Sequence, residues 1–149
     1  MKPDPDDITI TTVDPDALID LRHAVLRAGL PRDSAIFPGD DDPGSRHFAA
    51  IHRRRVIACV TLHLEEWEEQ PAWKLRGMAV APEFQGKGVG ARILTAAENS
   101  VRADSPIRII WCNARVPAGG FYEKHGWKIV SEVFQVPTAG PHVRMVKRL

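Results

Sequence analysis

The chain has 149 residues, 44% of them hydrophobic and 26% charged, with a net charge of +1 and an isoelectric point near 7.9. That is a globular composition for a single domain, residues 1–149, large enough to bury its own core. The charge balance gives no reason to expect nucleic acid or a membrane as partner, and no apolar run approaches the ~20 residues of a membrane span.

Residues 1–7 are polar and proline-rich, unlike a secretion signal, so a cytoplasmic protein is expected. Ile8, Ile10 and Thr12 alternate with Thr9 and Thr11 as in a strand. Asp14 and Pro15 then read as the N-cap and first residue of a helix. Its apolar face is Leu18, Leu21, Val25 and Leu26, and Gly29 and Pro31 close it. Pro31 to Ser45 reads as a long loop with one helical turn near Ser34 to Phe37. Its acidic run, Asp40 to Asp42, is either a solvated turn or a lid whose carboxylates attract a cationic amine.

Two strands follow, Phe48 to Ile51 and Val56 to Leu64, joined at the arginines Arg53 to Arg55. The second is apolar on both faces, as a strand covered on both sides must be. Glu65 to Gln70 is a polar break, and Trp73 to Val80 is a third strand of this group.

The most informative stretch comes next: Gln85-Gly86-Lys87-Gly88-Val89-Gly90. It lies between an apolar strand and an amphipathic helix, Val89 to Val101, which turns Val89, Ile93, Ala96, Ala97 and Val101 to the core. Glycines allow a tight turn and close approach of a ligand. The first amides of a helix point outward without partners and favour an anion, best a phosphate. Lys87 adds positive charge. The dinucleotide fingerprint does not fit, since the glycines fall as G-x-G-x-G, and the Walker pattern is absent.

Ile107 to Cys112 is an apolar strand. Pro117 opens a short helix ending at Gly126, weakened by Gly119-Gly120. Trp127 to Val136 and Val143 to Leu149 are the last two strands. The order β-α-β-β-β-α-β-α-β-β implies an α/β domain with a mixed, mostly antiparallel sheet and helices on both faces. Cys59 and Cys112 fall in buried strands and read as small apolar core residues. A covalent, nucleophilic role for Cys112 is the alternative, with no acid–base partner evident. The six histidines are dispersed, and no metal site is indicated.

Gln85, Gly88 and Gly90 fit Q-x-x-G-x-G, which resembles the acetyl-CoA signature of the GNAT superfamily of N-acetyltransferases. The strand before it, Leu75 to Glu83, and a second block, Asn113-Ala114-Arg115 with Gly120-Phe121-Tyr122-Glu123-Lys124-His125-Gly126-Trp127, are similar to superfamily segments in the same order. Trp127 stands where the family commonly has Phe.

The resemblance implies an acetyl-CoA-dependent transfer to an amine by direct attack in a ternary complex. It places the pyrophosphate on Gln85, Gly86, Lys87, Gly88, Val89 and Gly90. The pantetheine arm then runs along Met78, Ala79 and Val80, and the Val80 amide polarises the thioester carbonyl. Asn113, Phe121 and Lys124 would contact the cofactor, and Tyr122, the only tyrosine, would be the general acid. The base is open among Glu65, Glu66, His142, His63 and His47. Arg76 would bind an acceptor carboxylate or lie on the sheet face. The acceptor is expected to be a small-molecule or peptide amine, and a homodimer through an edge strand is plausible. The alternatives are a non-catalytic acyl-CoA-binding or regulatory module, and an enzyme using an oxygen nucleophile or a longer acyl donor.

Overall fold

A computed structural model describes residues 7–149; the expectation placed on residues 1–6 lies outside the described residues. The strands are β1 (Ile8–Thr12), β2 (Arg46–His52), β3 (Arg55–Leu64), β4 (Trp73–Val80), β5 (Ile109–Arg115), β6 (Lys128–Ile129), β7 (Phe134–Val136) and β8 (Gly140–Arg148). They form one sheet in the order β1-β2-β3-β4-β5-β8-β6, with β7 also on β8. The helices are α1 (Ile19–Leu26), α2 (Val89–Asp104) and α3 (Gly119–Lys124). No helix among the described residues is long and apolar enough to cross a membrane.

The expected fold class holds: every pairing is antiparallel except β4 with β5. Ile57 to Leu62 of β3 are all buried, so the sheet is covered on both faces there. Helices α1 and α2 both pack on β3 and β4. Ile93, Leu94, Ala97 and Val101 of α2 are fully buried, and each large aliphatic side chain so buried is worth about 2 kcal/mol. Arg53 and Arg54 take positive φ, 48° and 67°, as the tight turn between β2 and β3 needs.

Two features open the sheet. The parallel pairing of β4 and β5 lasts only for Trp73 with Ile110 and Lys74 with Trp111; beyond that the strands have no paired residues. On its other edge β4 carries a bulge, because Cys59 pairs with Ala79 while Thr61 pairs with Arg76. Gly77 sits in the bulge with φ 62°, and a Cβ there would stand 2.8 Å from Phe37 Cε2, so only glycine fits.

Four readings of the sequence change. The first helix begins as a 3-10 turn, Pro15–Leu18, and Asp14 makes no side-chain cap. The strand expected from Ile107 starts at Ile109 and runs on to Arg115. The strand expected over Trp127 to Val136 is split, because the Arg144 amide donates to Ser131 Oγ (2.7 Å) instead of to a backbone carbonyl. The polar break after β3 holds a buried Trp67, which packs on Trp111 at 5.6 Å between centroids.

Candidate active site

The glycine turn is built as its sequence suggests. Gly86 and Gly88 have φ of 74° and 79°, and a Cβ at either would face open space. Gly88 is the N-cap of α2, and the first backbone bond of the helix is Arg92 N–H to Gly88 O. Among the described residues, the six amides of residues 86–91 donate to no protein acceptor. Val89 is buried, so only its backbone faces the turn, and Lys87 is exposed. Val80, Gln85, Gly86, Gly88, Gly90 and Phe121, with Lys124 nearby, border a trough of about 530 Å³.

Strand geometry aims β4 at this trough. Ala81 N–H donates to Ile57 O (2.8 Å). Backbone groups alternate sides along a strand, so Val80 turns its N–H and C=O away from β3 into the gap that β5 leaves. Gln85 Nε2 donates to that carbonyl (2.9 Å), which ties the turn to the strand end and leaves the Val80 amide open. Ala79 is buried and paired with Cys59, whereas Met78 borders the next cavity.

A second cavity, about 280 Å³, occupies the gap between β4 and β5. Tyr122 and His142 both line it, as do Met78, Asn113 and Cys112. Helix α3 separates the two spaces: Phe121 faces the trough and Tyr122 the cavity, their rings 5.2 Å apart. The glycines of α3 do not prevent the helix from forming. Tyr122 is buried, and its hydroxyl makes no hydrogen bond to another described residue. Burial, followed by the nearby Cys112, pushes its phenol above the ordinary range. His142 Nδ1 lies 2.9 Å from Gly140 O. A carbonyl only accepts, so Nδ1 carries a proton and Nε2 of the neutral ring is left as an acceptor. The Asn113 side chain accepts from Arg144 Nε (3.3 Å).

Other candidates stand elsewhere. Glu65 is outside the cavity lining, in contact with His63 Nε2 (3.2 Å) and Lys74 Nζ (3.3 Å). Burial would raise its carboxyl, but the bond from His63 and the charge of Lys74 outweigh this and hold it low. Glu66 is exposed beside it. His47 is locked between Thr61 Oγ1 (2.8 Å) and Asp40 O (2.9 Å). Burial pushes the Cys112 thiol up to about 12, so it stays protonated and is a poor nucleophile.

Asp40 fits neither the solvated turn nor the lid. Asp40 is buried, and its carboxylate takes Arg22 Nη1 (2.6 Å) and Nη2 (3.1 Å) and the Phe37 amide (2.9 Å). It holds the loop shut on α1 and has no charge to offer a ligand. Asp41 and Asp42 are exposed and outside the cavity. Arg76, a candidate for an acceptor carboxylate in the sequence, lines the cavity; what sequence reasoning missed is that Arg27 and Arg115 line it too, and no carboxylate among the described residues does.

Comparison with known proteins agrees with this architecture. The model of the acetyltransferase (GNAT) domain matches residues 43–129. The chain is 28% identical over 145 residues to the uncharacterized N-acetyltransferase YitI of Bacillus subtilis (strain 168), covering 95% of this chain and 97% of that protein. Among solved structures it is similar to aminoglycoside 6'-N-acetyltransferase complexed with coenzyme A, with a TM-score of 0.75, 18% identity and coverage of 94% and 96%. It is also similar to a GNAT family acetyltransferase from Elizabethkingia anophelis with acetyl-CoA bound, with a TM-score of 0.69, 17% identity and coverage of 97% and 99%.

Proposed function

Since the chain belongs to the GNAT family of acetyltransferases and is an acetyl-CoA-dependent enzyme, we propose that the cavity between β4 and β5 is where an acetyl group passes to an amine by direct attack. The residues fit the donor. Open amides of residues 86–91 at the start of α2, with the exposed Lys87, suit a pyrophosphate. The free edge of β4 from Met78 to Val80 suits an amide-rich arm, and Asn113, Phe121 and Lys124 border its course. Acetyl-CoA supplies the thioester.

The chain's own groups supply the rest. The Val80 N–H is oriented for an oxygen that gains charge during transfer. His142 Nε2 takes a proton from the amine, which must be neutral to attack. Tyr122 holds its proton against the pH of the medium and gives it to the departing sulfur. Glu65, tied to Lys74 and His63, has no part in proton transfer on this reading. The observation that carries the proposal is that Tyr122 and His142 line one cavity, with His142 held through Nδ1 on Gly140 O.

Calorimetric titration with acetyl-CoA tests the donor site. The wild type should bind in the micromolar range. Gly88→Glu puts a side chain and a negative charge into the trough and should weaken binding by at least about a hundredfold, while thermal unfolding confirms that the variant folds. Equal binding by both proteins would remove the glycine turn from the donor site.

A further inference from the structure

Three guanidinium groups converge on the cavity that holds Tyr122 and His142. Arg27 follows α1, Arg76 lies on β4 and Arg115 ends β5, and all three are half-buried. Arg27 Nη1 and Arg115 Nη2 donate to one and the same atom, Leu26 O, each at 3.1 Å. Arg76 Nη1 donates to Pro38 O (3.0 Å). Arg27 and Arg76 also sit over the Phe37 ring, 5.1 and 5.0 Å from its centroid.

Among the described residues none of the three arginines is in an ion pair. The carboxylates whose charge reaches Arg76 are spent elsewhere, Glu65 on Lys74 and His63 and Asp40 on Arg22. Burial, then the like charges of Arg115, Arg76 and Arg22, lower the pKa of Arg27. An arginine does not escape by losing its proton. An anion relieves crowded, half-desolvated cations of this kind, and a guanidinium fork matches carboxylate and phosphate oxygens. The donor's phosphates do not fill this role, because the glycine trough and this cavity share no lining residue.

We propose that the amine acceptor carries an oxyanion, a carboxylate or a phosphate-like group, which Arg27, Arg76 and Arg115 hold while the amine faces His142. The proposal rests on the acetyl-transfer reading of the same cavity.

The test compares matched acceptors: a set of amino acids, their carboxamides and their aminophosphonic acid counterparts. Thiol release from acetyl-CoA measures transfer, and calorimetry on the protein loaded with coenzyme A measures acceptor binding. The anionic members should exceed the carboxamides at least about tenfold in kcat/KM. The ratio of carboxylate to phosphonate then identifies the oxyanion. Arg115→Gln should raise KM for anionic acceptors roughly ten- to a hundredfold with kcat nearly kept, and leave the carboxamides unchanged. Arg115→Lys should restore part of the loss, and unchanged thermal unfolding would show that the fold is intact. Carboxamides or cationic amines used as well as the anionic ones would overturn the anion site and leave acetyl transfer standing. Anionic amines that bind in a manner dependent on Arg115, with no thiol released, would do the reverse. The same binding arm decides the anion site when no turnover is seen: loss of affinity in Arg115→Gln supports it, and unchanged affinity overturns it.

Discussion

At the scale of single residues, chemistry turns on how each group is held. Tyr122 is a protonated phenol without a hydrogen-bond partner among the described residues, in a cavity it shares with His142. Tyr122→Phe should lower kcat about a hundredfold and leave acetyl-CoA affinity unchanged, as single-turnover and calorimetric measurements would show. Burial raises the phenol, so its proton stays on across the working range and any alkaline fall in rate arises elsewhere. The pH profile of Tyr122→Phe should therefore keep the shape of the wild-type profile at a lower height. Cys112→Ala should keep its rate, since the thiol sits near 12 and is not a nucleophile at neutral pH. Tyr122 could be singled out as a candidate in the sequence because its block, Phe121 to Gly126, is contiguous. His142 was one of several candidate bases, because what sets it apart is a tertiary contact, its Nδ1 on Gly140 O beside the cavity. Arg27 and Arg115 were not legible as a pair, since a strand end and a helix end 88 positions apart meet only at Leu26 O.

At the scale of elements, the segment between α1 and β2 is a strut. Arg22 is fully buried and spans Asp40, Ala35 O (3.0 Å) and Thr61 Oγ1 (2.8 Å), so α1, the loop and β3 share one side chain. Its Nε has no partner among the described residues, which leaves the network short by one bond. Asp40→Ala leaves a buried cation unpaired and should cost about 3–5 kcal/mol in denaturant unfolding. Burial alone would raise the Asp40 carboxyl, but bonds from Arg22 and Phe37 hold it below the usual carboxylate range. Its stabilisation is therefore present above the unfolded value, about 3.9, and is lost as pH falls through the lower folded value. The stability gap between wild type and Asp40→Asn should be wide at neutral pH and close in acid. Gly77→Ala, with Phe37 2.8 Å from the added carbon and φ at 62°, should destabilise by about 2 kcal/mol. Strands and helices were legible from apolar spacing. The strut was not, because an arginine between Leu21 and His23 reads as a solvated helix face, and Asp40 beside Asp41 and Asp42 reads as a solvated run.

At the scale of the whole molecule, the proposed transfer follows from one break in the sheet. Strands β4 and β5 pair for two residues and then part, and the gap exposes the backbone of β4 at its C-terminal end, where the glycine turn begins α2. The element order that produces this was legible, since motif blocks and strand periods are local. The charge inside the gap was not, because it depends on which side chains from α1, β4 and β5 share a wall. The central claim is direct transfer within a ternary complex on those walls. Initial rates of thiol release, with acetyl-CoA varied at several fixed concentrations of an acceptor amine, test it most directly. Double-reciprocal lines that intersect are the predicted result. Parallel lines, with an acetylated protein seen by mass spectrometry before acceptor is added, would contradict it.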